Sequence, residues 1–160
     1  MDATLKKLNY KGETEVVLNH LPEHLGALKE AFEKTAKCVT DVGETEAITF
    51  ALSFIYKQSD VDEILPKLDE KVSGDAILWF CYPKKSSKKF KCEIDRDNGW
   101  TIMGTYGYEP VRMVAIDDDF SALRFRKVSF IKKLTRSGEM ALTEEAKART
   151  TGKKAAKVEE

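Results

Sequence analysis

What this 160-residue chain has little of is informative. Cysteine stands only at 38, 81 and 92, an odd number without C-x-x-C spacing, so no disulfide framework is indicated. A reduced, cytoplasmic compartment is the simplest reading. Net charge is missing as well: 27 basic side chains balance 27 acidic ones, which leaves no global field to draw in nucleic acid or an acidic membrane. Long apolar runs are absent. The longest, residues 47–56 and 76–82, fall far short of the roughly 20 residues that span a bilayer, and the N-terminus (Met-Asp-Ala-Thr-Leu-Lys-Lys) lacks the apolar centre of a signal peptide. No membrane partner is expected.

What is present describes one globular domain, with 42% hydrophobic and 34% charged residues. Strand-like stretches lie at 15–19, 47–56, 76–82, 111–116 and 122–128, and Val39 offers a further short one. Between them, Pro22 opens a helix expected to run to about Lys37. Ser59 caps a second helix, with Val61, Ile64, Leu65 and Leu68 on one face and Pro66 set to kink or shorten it. A third helix is expected from Asp95 to Gly107. The five-residue acidic link 117–121 permits only an antiparallel hairpin. The fold expected is therefore α/β: a three-layer sandwich with a Rossmann-like, mostly parallel sheet of about five strands ending in a β-hairpin. Residues 1–130 form the domain. Residues 131–160, rich in Lys, Glu, Ala and Thr, form a charged tail expected to be mobile or loosely helical.

The richest stretch is 75–92. Its apolar run ends at Pro83, and five lysines (Lys84, Lys85, Lys88, Lys89, Lys91) follow around Ser86 and Ser87. A run without alternation reads as a strand buried on both faces, and ligands of open α/β sheets bind at carboxyl strand ends. A loop of this composition suits a small anion or phosphate-bearing ligand, and with less support nucleic acid. The bland alternative is a solvated charge run. The loop lacks the G-x-x-x-x-G-K-[ST] frame of nucleotide hydrolysis.

Asp117 and Asp119, with Ser121 and Arg124 just beyond, complete the candidate ligand site. Lys84 or Lys85 is expected to face the carboxylates, and Ser121 to cap the turn. The triplet Asp117-Asp118-Asp119 could hold a hard cation, though turn chemistry is the commoner use, and no metal is assigned. His20-Leu-Pro-Glu-His24 matches H-x-x-E-H, but Pro22 between the histidines denies them a continuous helix, so coincidence is the better reading. Cys81 is expected to be a buried, inert thiol. Cys92, beside the lysines, is expected to have a lowered pKa.

Two resemblances bear on the fold. The stretch Trp79-Phe-Cys-Tyr-Pro-Lys-Lys-Ser-Ser-Lys88 and the stretch Val114-Ala-Ile-Asp-Asp-Asp-Phe-Ser-Ala-Leu-Arg-Phe-Arg126 resemble motifs of a bacterial family of small cytoplasmic proteins of unknown function. Phe120 stands where that pattern has tryptophan. The resemblance implies the fold and a bacterial origin, with no activity. A looser likeness is to the C-terminal half of Rossmann-like methyltransferases. Against their cofactor, residues 15–24 hold no glycine at the strand–helix turn for close nucleotide approach, so no cofactor is assigned. The leading expectation is a binding or regulatory module that recognises an anion through the 83–91 loop. The competing one is a small enzyme or degenerate transferase-like domain at the same edge. Neither oligomeric state nor strand order can be read from the chain.

Overall fold

The computed structural model describes residues 2–95 and 98–131, and these form a six-stranded sheet with helices on both faces. The tail expected over 131–160 lies, but for its first residue, outside them. The elements run α1 (Ala3–Lys7), β1 (Glu15–Asn19), α2 (Gly26–Glu33), β2 (Lys37–Val39), β3 (Ile48–Phe54), α3 (Gln58–Asp69), β4 (Val72–Pro83), α4 (Thr101–Thr105), β5 (Tyr108–Ala115) and β6 (Phe120–Lys127). In space the strands are ordered β2-β1-β3-β4-β6-β5. The first four are mutually parallel, and β6 runs antiparallel to both β4 and β5. The expected three-layer architecture is the one found, with β2 as the sixth strand. Among the described residues no helix is long and apolar enough to cross a membrane.

Burial of both sheet faces explains the missing alternation in β4. Ile77, Trp79 and Cys81 point to a core shared with Leu5 of α1, Leu8 at its end, and Leu28 and Phe32 of α2. Leu78, Phe80 and Tyr82 point the other way, to Val61, Ile64, Leu65 and Leu68 of α3 and Met103 of α4. Trp79 is fully buried, and its indole N–H donates to the Leu8 carbonyl at 2.8 Å, fixing the N-terminal segment on the sheet.

Several helices depart from expectation for local reasons. The first begins as a 3-10 turn (Glu23–Leu25), and its α-helical part ends at Glu33, because Lys37 already pairs beside β1. Lys57, not Ser59, is the N-cap of α3: the Asp60 carboxylate accepts the N–H groups of Tyr56 (2.8 Å) and Lys57 (3.2 Å). Pro66 sits inside a helix that continues to Asp69. The carbonyl it leaves without an intrahelical donor belongs to exposed Asp62, where water can serve it. The third helix shrinks to α4. Asn98 folds back onto Asp95 through its backbone N–H (2.9 Å) and side chain, and Gly99 takes φ +100°, a left-handed geometry that stops a helix. Pro110 is tolerated in β5 because that strand is at the sheet edge and its register shifts at Pro110/Arg112.

Candidate functional site

From β1 the chain moves outward to β2 and then returns across β1 to β3, so the direction of winding reverses between β1 and β3. Open α/β sheets leave a crevice at the carboxyl ends of such strands. Here it is a cleft of about 220 Å³ lined by His20, Ser53, Phe54, Ile55, Tyr56, Asp60, Glu63 and Ile64. His20 leaves β1 with φ +58°, an uncommon left-handed conformation for a residue with a side chain. Below it, buried Asn19 donates its amide to the Ser53 hydroxyl at 3.0 Å and ties the two strand ends together. Burial, reinforced by Asp60, raises the Tyr56 phenol above its ordinary pKa. The charged residues lining this cleft are acidic.

The lysine stretch is a strap folded over the neighbouring strand ends. The Lys84 backbone N–H donates to the Asp119 carbonyl at 2.7 Å, and the Ser87 N–H closes a turn on the Lys84 carbonyl at 3.0 Å. The Ser87 hydroxyl bonds in both directions: it donates to Asp119 Oδ1 at 2.9 Å and accepts from the Phe90 N–H at 3.2 Å. Phe90 then stacks on His24 (centroids 5.2 Å apart) and meets Phe120 edge-on at 5.1 Å. The Glu93 N–H reaches the Tyr56 carbonyl at 2.9 Å, carrying the strap to the end of β3. Lys85 pairs with Asp95 at 2.8 Å across the base of the loop.

The 83–88 loop and the 117–121 turn thus share one edge of the sheet, but their partners differ from those expected. Lys85 turns to Asp95 rather than to the acidic turn. Asp117 faces His24 Nε2 at 3.3 Å through Oδ2 and caps its own turn through Oδ1, which accepts the N–H groups of Asp119 (2.9 Å) and Phe120 (2.7 Å). The capping role expected of Ser121 falls to Asp117, because an Asx carboxylate reaches backbone N–H groups two and three residues on. Ser121 itself is buried opposite Tyr82. Ser86 and Lys88 are exposed on the strap. Arg124 is not at this edge. It sits opposite Trp79, three rungs from the Ser121–Tyr82 pair and so about 10 Å along the strand.

Among the described residues no group of three His, Cys, Asp or Glu side chains is placed to hold a metal ion, and Asp117 and Asp119 are engaged as above. The Cys92 expectation is overturned: burial first, with Asp60, Asp95 and Glu93 adding to it, pushes its thiol up despite the lysines before it. Burial raises Cys81 well above the ordinary thiol range, in keeping with an inert core thiol.

Sequence reasoning undervalued two features. Tyr56, Asp60 and Glu63 of the cleft read as the end of a strand and an ordinary helix start. His24 read as half of a coincidental motif. Only the reversal of winding brings His20 beside Ser53, and no spacing along the chain encodes that.

No family model matches the sequence, and no curated protein matches it. Solved structures similar to it are found. One is the pyocyanin biosynthetic protein PhzM, at TM-score 0.52 and 10% identity over 78% of this chain, which spans only 53% of that protein. Another is the N-methyltransferase NodS from Bradyrhizobium japonicum WM9 in complex with S-adenosyl-L-homocysteine, at TM-score 0.49, 12% identity and coverages of 78% and 84%. A third is magnesium protoporphyrin IX methyltransferase from Synechocystis PCC 6803, at TM-score 0.47 and 11% identity, with coverages of 78% and 74%. At 10% identity the likeness to PhzM is one of fold alone: the described domain is a Rossmann-like α/β sandwich.

Proposed function

We propose that this chain is a binding or regulatory module on a methyltransferase-like fold, recognising an anionic group through the 84–95 strap. One observation supports it most. The strap is sewn to the sheet edge by Ser87, Asp119, Phe90, His24 and Tyr56, so its exposed lysines project from a built backbone rather than from a loose run. It carries five lysines against the carboxylates of Glu93 and Asp95. A preorganised cationic surface at a carboxyl strand edge suits phosphate or another oxyanion.

The residues present do not fit S-adenosylmethionine. The turn after β1 is Asn19-His20-Leu21-Pro22, where a histidine side chain lines the cleft in the place a glycine would open to a nucleotide. The cleft of about 220 Å³ is also smaller than the roughly 300–1,000 Å³ of sites for drug-sized ligands. A second reading, a small transferase-like enzyme, is favoured by that same cleft, where His20, Tyr56 and Glu63 are groups able to move protons.

The test is binding of pyrophosphate and of a single-stranded oligonucleotide to the parent and to the triple variant Lys84→Gln, Lys88→Gln, Lys89→Gln. We expect parent binding that weakens with salt and is lost in a variant that unfolds at the parent's temperature. A parent indifferent to both probes at low salt overturns the reading, as does a variant that binds as well as the parent.

A further inference from the structure

Away from the carboxyl edge, β5 and β6 bring three arginines onto one face. Arg112 lies directly opposite Arg124 in the antiparallel register, and cross-strand partners share a face. Arg126, two residues further along β6, projects to that same face. This is the α1 side of the sheet, since Ala122 and Phe120 of the same strand parity belong to the core under α1. Like charges directly opposite one another in an antiparallel pair work against folding.

Three carboxylates lie near, and none is paired with Arg112 or Arg124: buried Glu109 stands opposite Arg126 in the register. Asp75 is taken by Arg126, whose Nε donates to Oδ1 at 2.9 Å and Oδ2 at 3.0 Å while Nη2 also reaches Oδ2. Glu13 accepts the Lys11 N–H at 2.9 Å. Arg124 is left with a buried Nε that has no hydrogen-bond partner, although the residue as a whole is partly exposed. Burial, followed by the charge of Arg126, depresses its pKa, with Arg112 adding to the effect and Asp75 and Glu13 opposing it. An arginine remains charged regardless, so the cost persists in the folded protein.

We infer that Arg112 and Arg124, with Arg126 fixed beside them by Asp75, form a second anion site that takes a phosphate or phosphomonoester group. Guanidinium forks match the oxygens of such a group, and its charge of about −1.5 to −2 offsets two unneutralised arginines where a carboxylate would offset one. A bound oxygen would also give the buried Arg124 N–H its acceptor. The site is independent of the strap, which lies at the strand ends.

The experiment is a titration of the full chain, labelled with ¹⁵N-arginine, with inorganic phosphate at constant ionic strength, reading the arginine Nε–H resonances. A saturable shift of the Arg124 resonance is expected. Arg112→Gln, at an exposed position that folding tolerates, should weaken it about tenfold or more by removing one charge-assisted partner. Arg112→Lys, which keeps the charge without the fork, should fall between. The double variant Lys88→Gln, Lys89→Gln should titrate like the parent, which separates this site from the strap. No saturable shift in the parent, an Arg112→Gln titration equal to the parent's, or loss of the shift in the lysine variant would each overturn the assignment. So would an equal response to acetate, which would make the pair a reader of carboxylates.

Discussion

Substitutions at Asp117 separate two forces acting through one side chain. Its Oδ2 faces His24, in a pair whose side chains are 38% and 30% exposed. At that exposure an ion pair contributes about 0–1 kcal/mol, and only while the histidine is protonated. Its Oδ1 accepts two part-buried backbone N–H groups, from Asp119 and Phe120. Each such bond contributes about 0.5–1.5 kcal/mol net, so the pair amounts to about 1–3 kcal/mol. The turn should therefore outweigh the ion pair. Asp117→Asn keeps an acceptor at Oδ1 and loses only the charge, whereas Asp117→Ala loses both. Urea unfolding followed by circular dichroism should show the alanine variant about 1–3 kcal/mol less stable than the parent and the asparagine variant within about 1 kcal/mol of it. If the asparagine variant falls as far as the alanine one, the His24 contact governs this edge and the turn argument fails.

Two further predictions concern the core and its buried acids. Trp79→Ala should cost about 3–5 kcal/mol by cavity formation in a fully enclosed strand, with Trp79→Phe milder but still measurable because the Leu8 carbonyl loses its donor; a loss under about 1 kcal/mol for the alanine variant would contradict the burial described here. Burial raises the pKa of Cys38, Cys81, Cys92, Tyr56 and Tyr108, the last also through its hydrogen bond to Asp69. The folded state then holds these protons more tightly than the unfolded state does. The stability they contribute is complete below the unfolded thiol pKa of about 8.5 and is lost as pH rises through the thiol and phenol ranges. Urea midpoints measured from about pH 8 to about pH 11 should decline, and a flat or rising profile would refute the sign.

Much of the fold was legible because burial writes itself into composition. β4 reads as a strand with neighbours on both sides because helices cover both of its faces, and no polar residue interrupts residues 76–82. The 117–121 link is too short for anything but a hairpin. The errors fell where one local interaction outweighs periodicity. The apolar residues Trp100, Ile102 and Met103 suggested a long helix, but Trp100 and Met103 fill the core from a turn held by Asp95 and Gly99, and the indole N–H of Trp100 donates to the Asp95 carbonyl at 2.7 Å. A hydrophobic pattern records which residues are buried, not which backbone carries them there.

The meeting of the two loops was legible, and their wiring was not. A cationic loop after a buried strand and an acidic turn before the adjacent one must meet at one edge once the hairpin is antiparallel, and they do. Opposite charges in two neighbouring loops nevertheless do not specify an ion pair, because backbone N–H groups compete for the same carboxylates at much shorter loop-closure cost. Asp117 satisfies its own turn, and Asp119 takes the Ser87 hydroxyl. The lysines that remain outward are therefore not consumed by the acids that follow them in the hairpin. Arg124 shows the converse. Its place in the motif suggested the edge, but a strand advances about 3.3 Å per residue, and three residues are enough to move it from that edge into the company of Arg112. Charge that looks paired along the chain can be unpaired in the sheet, and here that difference sets a presumed edge residue opposite a second arginine.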